Sequence, residues 1–77
     1  MKIEILGTGC PKCEALAKNA EDAVRELGLE AEIAKVTDIV EIADRGVMMT
    51  PALSVDGEIK FVGKVATVED LRRLLTS

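Results

Sequence analysis

From Pro11 to Leu27 the apolar residues recur at three- and four-residue spacing: Cys13, Leu16, Ala17, Ala20, Ala23, Val24 and Leu27. That spacing lines them along one face of a helix. Glu14 with Lys18, and Glu21 with Arg25, form i,i+4 pairs on the outer side. Pro11 suits the first helical position and Gly28 suits the stop. On one side lies the short run Ile3, Ile5, Leu6, ended by Gly7-Thr8-Gly9; on the other lie Leu29, Ala31, Ile33 and Val36. Both read as strands. Residues 2–36 therefore predict a strand–helix–strand unit, whose expected geometry is a parallel pair joined by a right-handed crossover.

The rest of the chain extends that unit. Asp38 followed by Glu41 has the form of a capping box, with Ile39, Ile42 and Ala43 as an apolar face and Gly46 as the end. Two apolar runs, Ala52–Val55 and Ile59–Val62, flank Asp56-Gly57, a two-residue hairpin signal. Thr67-Val68-Glu69-Asp70 caps a last helix carrying Val68, Leu71, Leu74 and Leu75. The order is βαβαββα in a single domain, residues 1–77, of α/β class. The expectation is a four-stranded mixed sheet with helices on both faces, a parallel pair at its centre and the hairpin as its antiparallel edge.

Composition narrows the function. Hydrophobic residues make up 48% of the chain and charged residues 31%, which excludes intrinsic disorder. A folded chain of 77 residues has an expected radius of gyration of roughly 11–12 Å. Phe61 is the sole aromatic, so Leu, Ile, Val, Ala and Met fill the core and no stacking platform for single-stranded nucleic acid exists. The net charge is −4, without a Lys/Arg block, so nucleic acid is not an expected partner. No apolar run approaches the ~18 residues of a membrane span, and Met-Lys-Ile-Glu-Ile-Leu has no signal-peptide character. A cytoplasmic monomer is the simplest expectation.

Cys10-Pro11-Lys12-Cys13 sits where the first strand hands over to the first helix. Two intervening residues in a helical first turn bring the sulfurs within bonding reach. Cys10 takes the N-cap position, where unpaired N–H groups and the helix dipole favour a thiolate, and Lys12 adds a nearby positive charge or is a solvated surface cation. Cys13 lies one turn in, on the core-facing stripe. Attack by Cys10 and resolution by Cys13 is thiol–disulfide exchange. Metal handling is the rival reading. Gly-Thr-Gly-Cys-x-x-Cys after an N-terminal strand resembles the heavy-metal-associated domain, whose cysteines bind soft ions such as Cu(I), but that domain runs βαββαβ and ends on a strand. With no His and only two Cys, a four-ligand zinc site lacks ligands, and no metal site is expected.

Taken with Thr50-Pro51 before the hairpin and the βαβαββα order, the Cys10–Cys13 motif resembles the thioredoxin fold in its shortest, glutaredoxin-sized form. The stretch Gly46–Leu53, Asp56-Gly57 and Gly63 is similar to the second half of thioredoxins. The resemblance, to minimal thioredoxin-like redox-active disulfide proteins, covers nearly the whole chain. It implies Cys10 as nucleophile, Cys13 as resolving thiol, a cis-proline at Pro51 packed against the disulfide, and a Thr50 backbone that hydrogen-bonds bound peptide. It further implies no cofactor beyond the Cys10–Cys13 disulfide, with protein disulfides and a dithiol reductase as partners.

The sequence also departs from the pattern. Gly9 replaces the usual aromatic before the motif, and Pro11-Lys12 replaces Gly-Pro. Lys64-Val65-Ala66 follows Gly63 without the paired glycines associated with glutathione, and there is no Tyr, which argues against glutathione. Glu4, six residues before Cys10, has the spacing of the buried acid of thioredoxins and is a candidate proton relay, its pKa raised if the strand is covered on both faces; the simpler expectation is an exposed strand carboxylate. Met48 and Met49 offer a soft docking rim, with at least one expected in the core.

Overall fold

Alternation along the first strand decides which helix covers which face. The computed structural model describes residues 1–76. The elements are β1 (Lys2–Leu6), α1 (Pro11–Leu27), β2 (Glu32–Val36), α2 (Ile39–Asp44), β3 (Ala52–Val55), β4 (Glu58–Val62) and α3 (Val68–Thr76). Ile3 and Ile5 of β1 join Leu53 of β3 in one core cluster with Leu16, Ala17 and Ala20 of α1 and Leu71 of α3. Leu6, Val36 and Ala52 face the other way and pack with Ile42 and Val47. The sheet is thus covered by α1 and α3 on one side and by α2 on the other, an α/β sandwich of three layers. The Cα radius of gyration is 11.3 Å. No helix among the described residues is long and apolar enough to cross a membrane.

Strand order is β2-β1-β3-β4. β1 and β2 are parallel, Lys2 opposite Glu32 through Leu6 opposite Val36. β1 and β3 are antiparallel, with Glu4 opposite Ser54, and β3 and β4 form the hairpin. The expected placement of the parallel pair at the centre is therefore corrected. The central neighbours are β1 and β3, and β2 forms an edge. The polarity of β2 explains this: Glu32 and Lys35 are exposed, and charge on an edge strand protects its unpaired backbone. β2 also begins three residues later than its apolar run, because Leu29 N–H still donates to Val24 of the helix end.

The ends of the elements follow local chemistry. Thr67 and Asp70 cap α3 reciprocally: Asp70 N–H donates to Thr67 Oγ1 at 3.1 Å, and Thr67 N–H to Asp70 Oδ2 at 3.4 Å. Asp38 caps α2 by accepting from Val40 N–H at 2.9 Å, while Glu41 turns instead to Arg45, so only half of that capping box forms. Of the apolar face expected for α2, Ile42 alone is buried. The hairpin turn places Asp56 at φ 51° and Gly57 at φ 88°, a left-handed pair that matches strand twist. Asp56 is anchored from both sides by β1, its Oδ1 accepting from Lys2 N–H at 2.7 Å and its N–H donating to Lys2 O at 2.8 Å. A Cβ at position 57 in that conformation costs about 1–2 kcal/mol. Gly57→Ala is accordingly expected to lower the urea-unfolding free energy by about that amount with an unchanged denaturant slope; unaltered stability would show that the turn relaxes.

Candidate active site

β1 ends at Leu6, and Gly7 extends its ladder by donating to Val36 O at 2.9 Å. Thr8 and Gly9 turn the chain, and Cys10 enters as the N-cap of α1 in an extended conformation, φ −69° and ψ 162°. Pro11 follows at the first helical position, where its missing N–H costs nothing. The two sulfurs lie 2.7 Å apart as free thiols in a hydrogen bond. Cys10 Sγ also accepts from Cys13 N–H at 3.4 Å. The site sits at the carboxyl end of β1, where open α/β sheets place their chemistry.

The two thiols are unequal. Cys10 is half-buried and Cys13 is buried. The Cys13 thiol hydrogen bond, followed by the Cys13 and Lys12 backbone N–H groups, pulls Cys10 below the ordinary thiol value. Burial pushes Cys13 up, and its hydrogen bond to Cys10 pushes it further. Lys12 contributes through its backbone; its side chain is exposed, and its ammonium is not among the groups that shift Cys10.

Gly7 is a site residue that the sequence reading took only for a strand end. A Cβ there would clash with Cys13 Sγ, and Thr50 Cβ would lie 3.8 Å away. The close approach of strand to helix therefore requires glycine. It also places Thr50 across the strand end from Cys13. The Thr50–Pro51 peptide bond is cis, and Pro51 is buried, its carbonyl accepting from Gly63 N–H at 2.9 Å.

Glu4 is not the exposed strand carboxylate of the simpler expectation. It is buried, at 8% exposure, and shares the β1 face of Leu6, toward α2. Its two oxygens accept from Arg45 Nη1 and Nη2 at 2.8 and 2.9 Å, a bidentate fork. That hydrogen-bonded pairing outweighs desolvation and holds the carboxyl below its ordinary range, the reverse of the raised value expected for a relay. Arg45 had no signal in the sequence beyond a lone cation after α2. Met48 and Met49 are also corrected: neither is in the core, at 90% and 61% exposure. Ile39 and Val40 of α2 are also exposed, and Thr8, Ile39, Met48 and Thr50 line a groove of about 200 Å³.

An α/β sheet that presents an asymmetric CxxC dithiol at the end of its first strand defines a thiol–disulfide exchange protein. Comparison with known proteins makes the class specific. Residues 1–76 match the family model of the thioredoxin domain. The chain is 46% identical over 76 residues to a thioredoxin of Methanothermobacter thermautotrophicus, covering 99% of each. It is 49% identical over 75 residues to a thioredoxin of Methanocaldococcus jannaschii, covering 97% of this chain and 86% of that one. The chain belongs to the thioredoxin family and is a thiol–disulfide oxidoreductase.

Two outcomes follow from this geometry. Gly7→Ala is expected to keep the helical circular-dichroism signal, to lower thermal stability, and to slow closure of the Cys10–Cys13 disulfide, read by mass after alkylation; closure at the wild-type rate would mean the first turn has slack. Arg45→Met tests the ion pair through pH. A carboxylate with a depressed folded-state pKa contributes stability that is present above the unfolded value and lost as pH falls through the folded one. The stability gap between wild type and Arg45→Met is therefore expected to be largest at pH 7 and to shrink on acidification, from the pH at which the unpaired, buried Glu4 of the variant takes up a proton down through the depressed wild-type value. A gap independent of pH in urea titrations would show that Arg45 acts by packing alone.

Proposed function

We propose that Cys10 attacks disulfides of protein partners and that Cys13 resolves the mixed disulfide, with a separate dithiol reductase restoring the pair. In the first step the Cys10 thiolate bonds to one partner sulfur and the other leaves as a thiolate. In the second, Cys13 attacks Cys10 Sγ, the bond to the partner breaks, and the second partner sulfur leaves. Two electrons pass to the partner and the Cys10–Cys13 disulfide remains, so the thiols themselves carry the electrons and no bound cofactor enters. The observation that carries this reading is the inequality of two sulfurs 2.7 Å apart, one at the helix mouth and one beneath it. An accessible thiolate starts exchange, and a covered thiol acts only once a partner is attached.

The exposed apolar residues Ile39 and Met48 that line the groove support a polypeptide partner over a small thiol such as glutathione. Flexible thioether side chains adapt to varied surfaces. Thr50, at the groove edge beside the dithiol, offers its backbone to an extended segment, and Pro51 shapes the wall behind it. A reducing compartment such as the cytoplasm keeps such a pair in the dithiol form.

Iodoacetamide at pH 7 is expected to label Cys10 first, and Cys13→Ser to accumulate mixed disulfides through Cys10, whereas Cys10→Ser abolishes exchange. Faster labelling of Cys13 would sink the assignment. Reduced protein that holds one Cu(I) or Zn(II) against a mild chelator, and fails to reduce an insulin disulfide, would transfer the dithiol to soft-metal binding.

A further inference from the structure

Resolution of the mixed disulfide requires Cys13 to lose its proton at a moment when its neighbour cannot take it. Cys13 is 5% exposed, and its thiol is hydrogen-bonded to Cys10 Sγ, which is uncharged once bonded to a partner. Glu4 is committed elsewhere, with both oxygens held by Arg45. It lies on the opposite face of β1 from Ile5. On the Ile5 face, next to Cys13, is a pocket of about 20 Å³ walled by Ile5, Gly7, Gly9, Cys13, Glu14, Lys35 and Thr37. That is the volume of one water. Gly7, against which Cys13 Sγ packs, forms part of the same wall. At its mouth Glu14 Oε2 accepts from Lys35 Nζ at 3.1 Å, the two side chains being 58% and 49% exposed.

We propose that the Cys13 proton leaves through this pocket, by way of one water, to the Glu14 carboxylate, which Lys35 of β2 holds in place. The inference rests on Cys13 being the resolving thiol. The charged and titratable groups around Cys13 are Cys10, Lys12 and Glu14 from the start of α1 and Lys35 from β2, with Glu4 of β1 and Arg45 beyond α2 paired on the far face. Of these, Glu14 is the carboxylate on the pocket wall. As the Cys13 S–H bond breaks, the water gives a proton to Glu14 and takes the thiol proton. Cys13 Sγ bonds to Cys10 Sγ, and the partner thiolate departs. The proton then passes from Glu14 to solvent or to that thiolate, so the dithiol has lost two electrons and the partner disulfide has gained them. Glu14 is a proton acceptor acting through water, and Lys35 positions it.

The test separates the two steps. Reduced protein mixed with excess chromogenic aromatic disulfide releases one coloured thiolate when Cys10 attacks and a second when Cys13 resolves. Each phase is followed by stopped flow from pH 5.5 to 8.5. In the wild type the second phase is expected to vary weakly with pH. In Glu14→Gln it is expected to be slower on the order of tenfold at pH 6, less than a directly bonded general base contributes, and to fall about tenfold per pH unit, as for a thiol that must ionise unaided. Glu14→Asp restores a shallow profile, and the first phase stays within about twofold in both variants, a bound on the general charge effect of Glu14 on Cys10. A wild-type second phase in Glu14→Gln at every pH overturns the proposal, as does a loss confined to Glu4→Gln, which would return the role to Glu4. A wild type without a second phase would overturn the resolving role of Cys13 itself.

Discussion

Everything at the dithiol depends on how closely α1 lies on β1. Ala17, Ala20 and Ala23 of α1, each no more than 3% exposed, share one core cluster with Leu16 and with Ile3 and Ile5 of β1. Small side chains let a helix approach a sheet closely, and interiors of this density transmit a local shift directly. In a chain with a single aromatic, that close approach replaces bulk as the source of packing. It carries through to the strand end, where Gly7 leaves room for Cys13 Sγ. The first turn of α1 is thereby clamped over the end of β1, and Cys10 is left at the helix mouth. The inequality of the two sulfurs is thus a property of the helix seating, since one turn of rise separates a solvent-facing N-cap from a core-facing stripe.

The opposite face solves a different problem. β1 is covered on both sides, and its burial pattern admits only Lys2 at the surface. Glu4 therefore enters the α2 layer as a buried charge, which is costly unless paired with good geometry. Arg45 supplies that pairing from just beyond α2 and also reaches Glu41 at 3.3 Å, so a six-residue helix too short to stand alone is fixed to the central strand. Its first turn is left projecting, with Ile39 and Val40 exposed. A helix held at its C-terminal end by an ion pair and open at its N-terminal end suits a surface that meets partners.

Much of this was legible in residue spacing. The 17-residue stripe of α1, its Pro11 start and Gly28 stop, the Asp56-Gly57 turn and the reciprocal cap at Thr67 are local features, set by bonds within a few residues. The dithiol was legible for the same reason, because the spacing and the N-cap lie in one segment. What escaped the sequence is non-local. Whether β1 pairs with β2 at the centre or the edge depends on where β3 docks, and the charges of Glu32 and Lys35 are a weak trace of that choice. The partner of Glu4 lies 41 residues away. Its pairing inverts the direction of the pKa shift that burial alone implies. At least one of Met48 and Met49 reads as core, yet both are exposed.

The sheet thereby divides the work between its two faces. The α1 face supplies the sulfurs, the pocket behind Cys13 and the small-residue packing that sets their spacing. The α2 face supplies the groove and the exposed apolar residues Ile39 and Met48 that line it. Thr8 and Thr50, which line that groove, lie at the strand ends between the faces. On the proposed reading a partner cysteine comes from this groove to Cys10 at the helix mouth, while Cys13 sits against Gly7. On the proposed reading, partner contact and resolution are thereby assigned to different faces of one small domain.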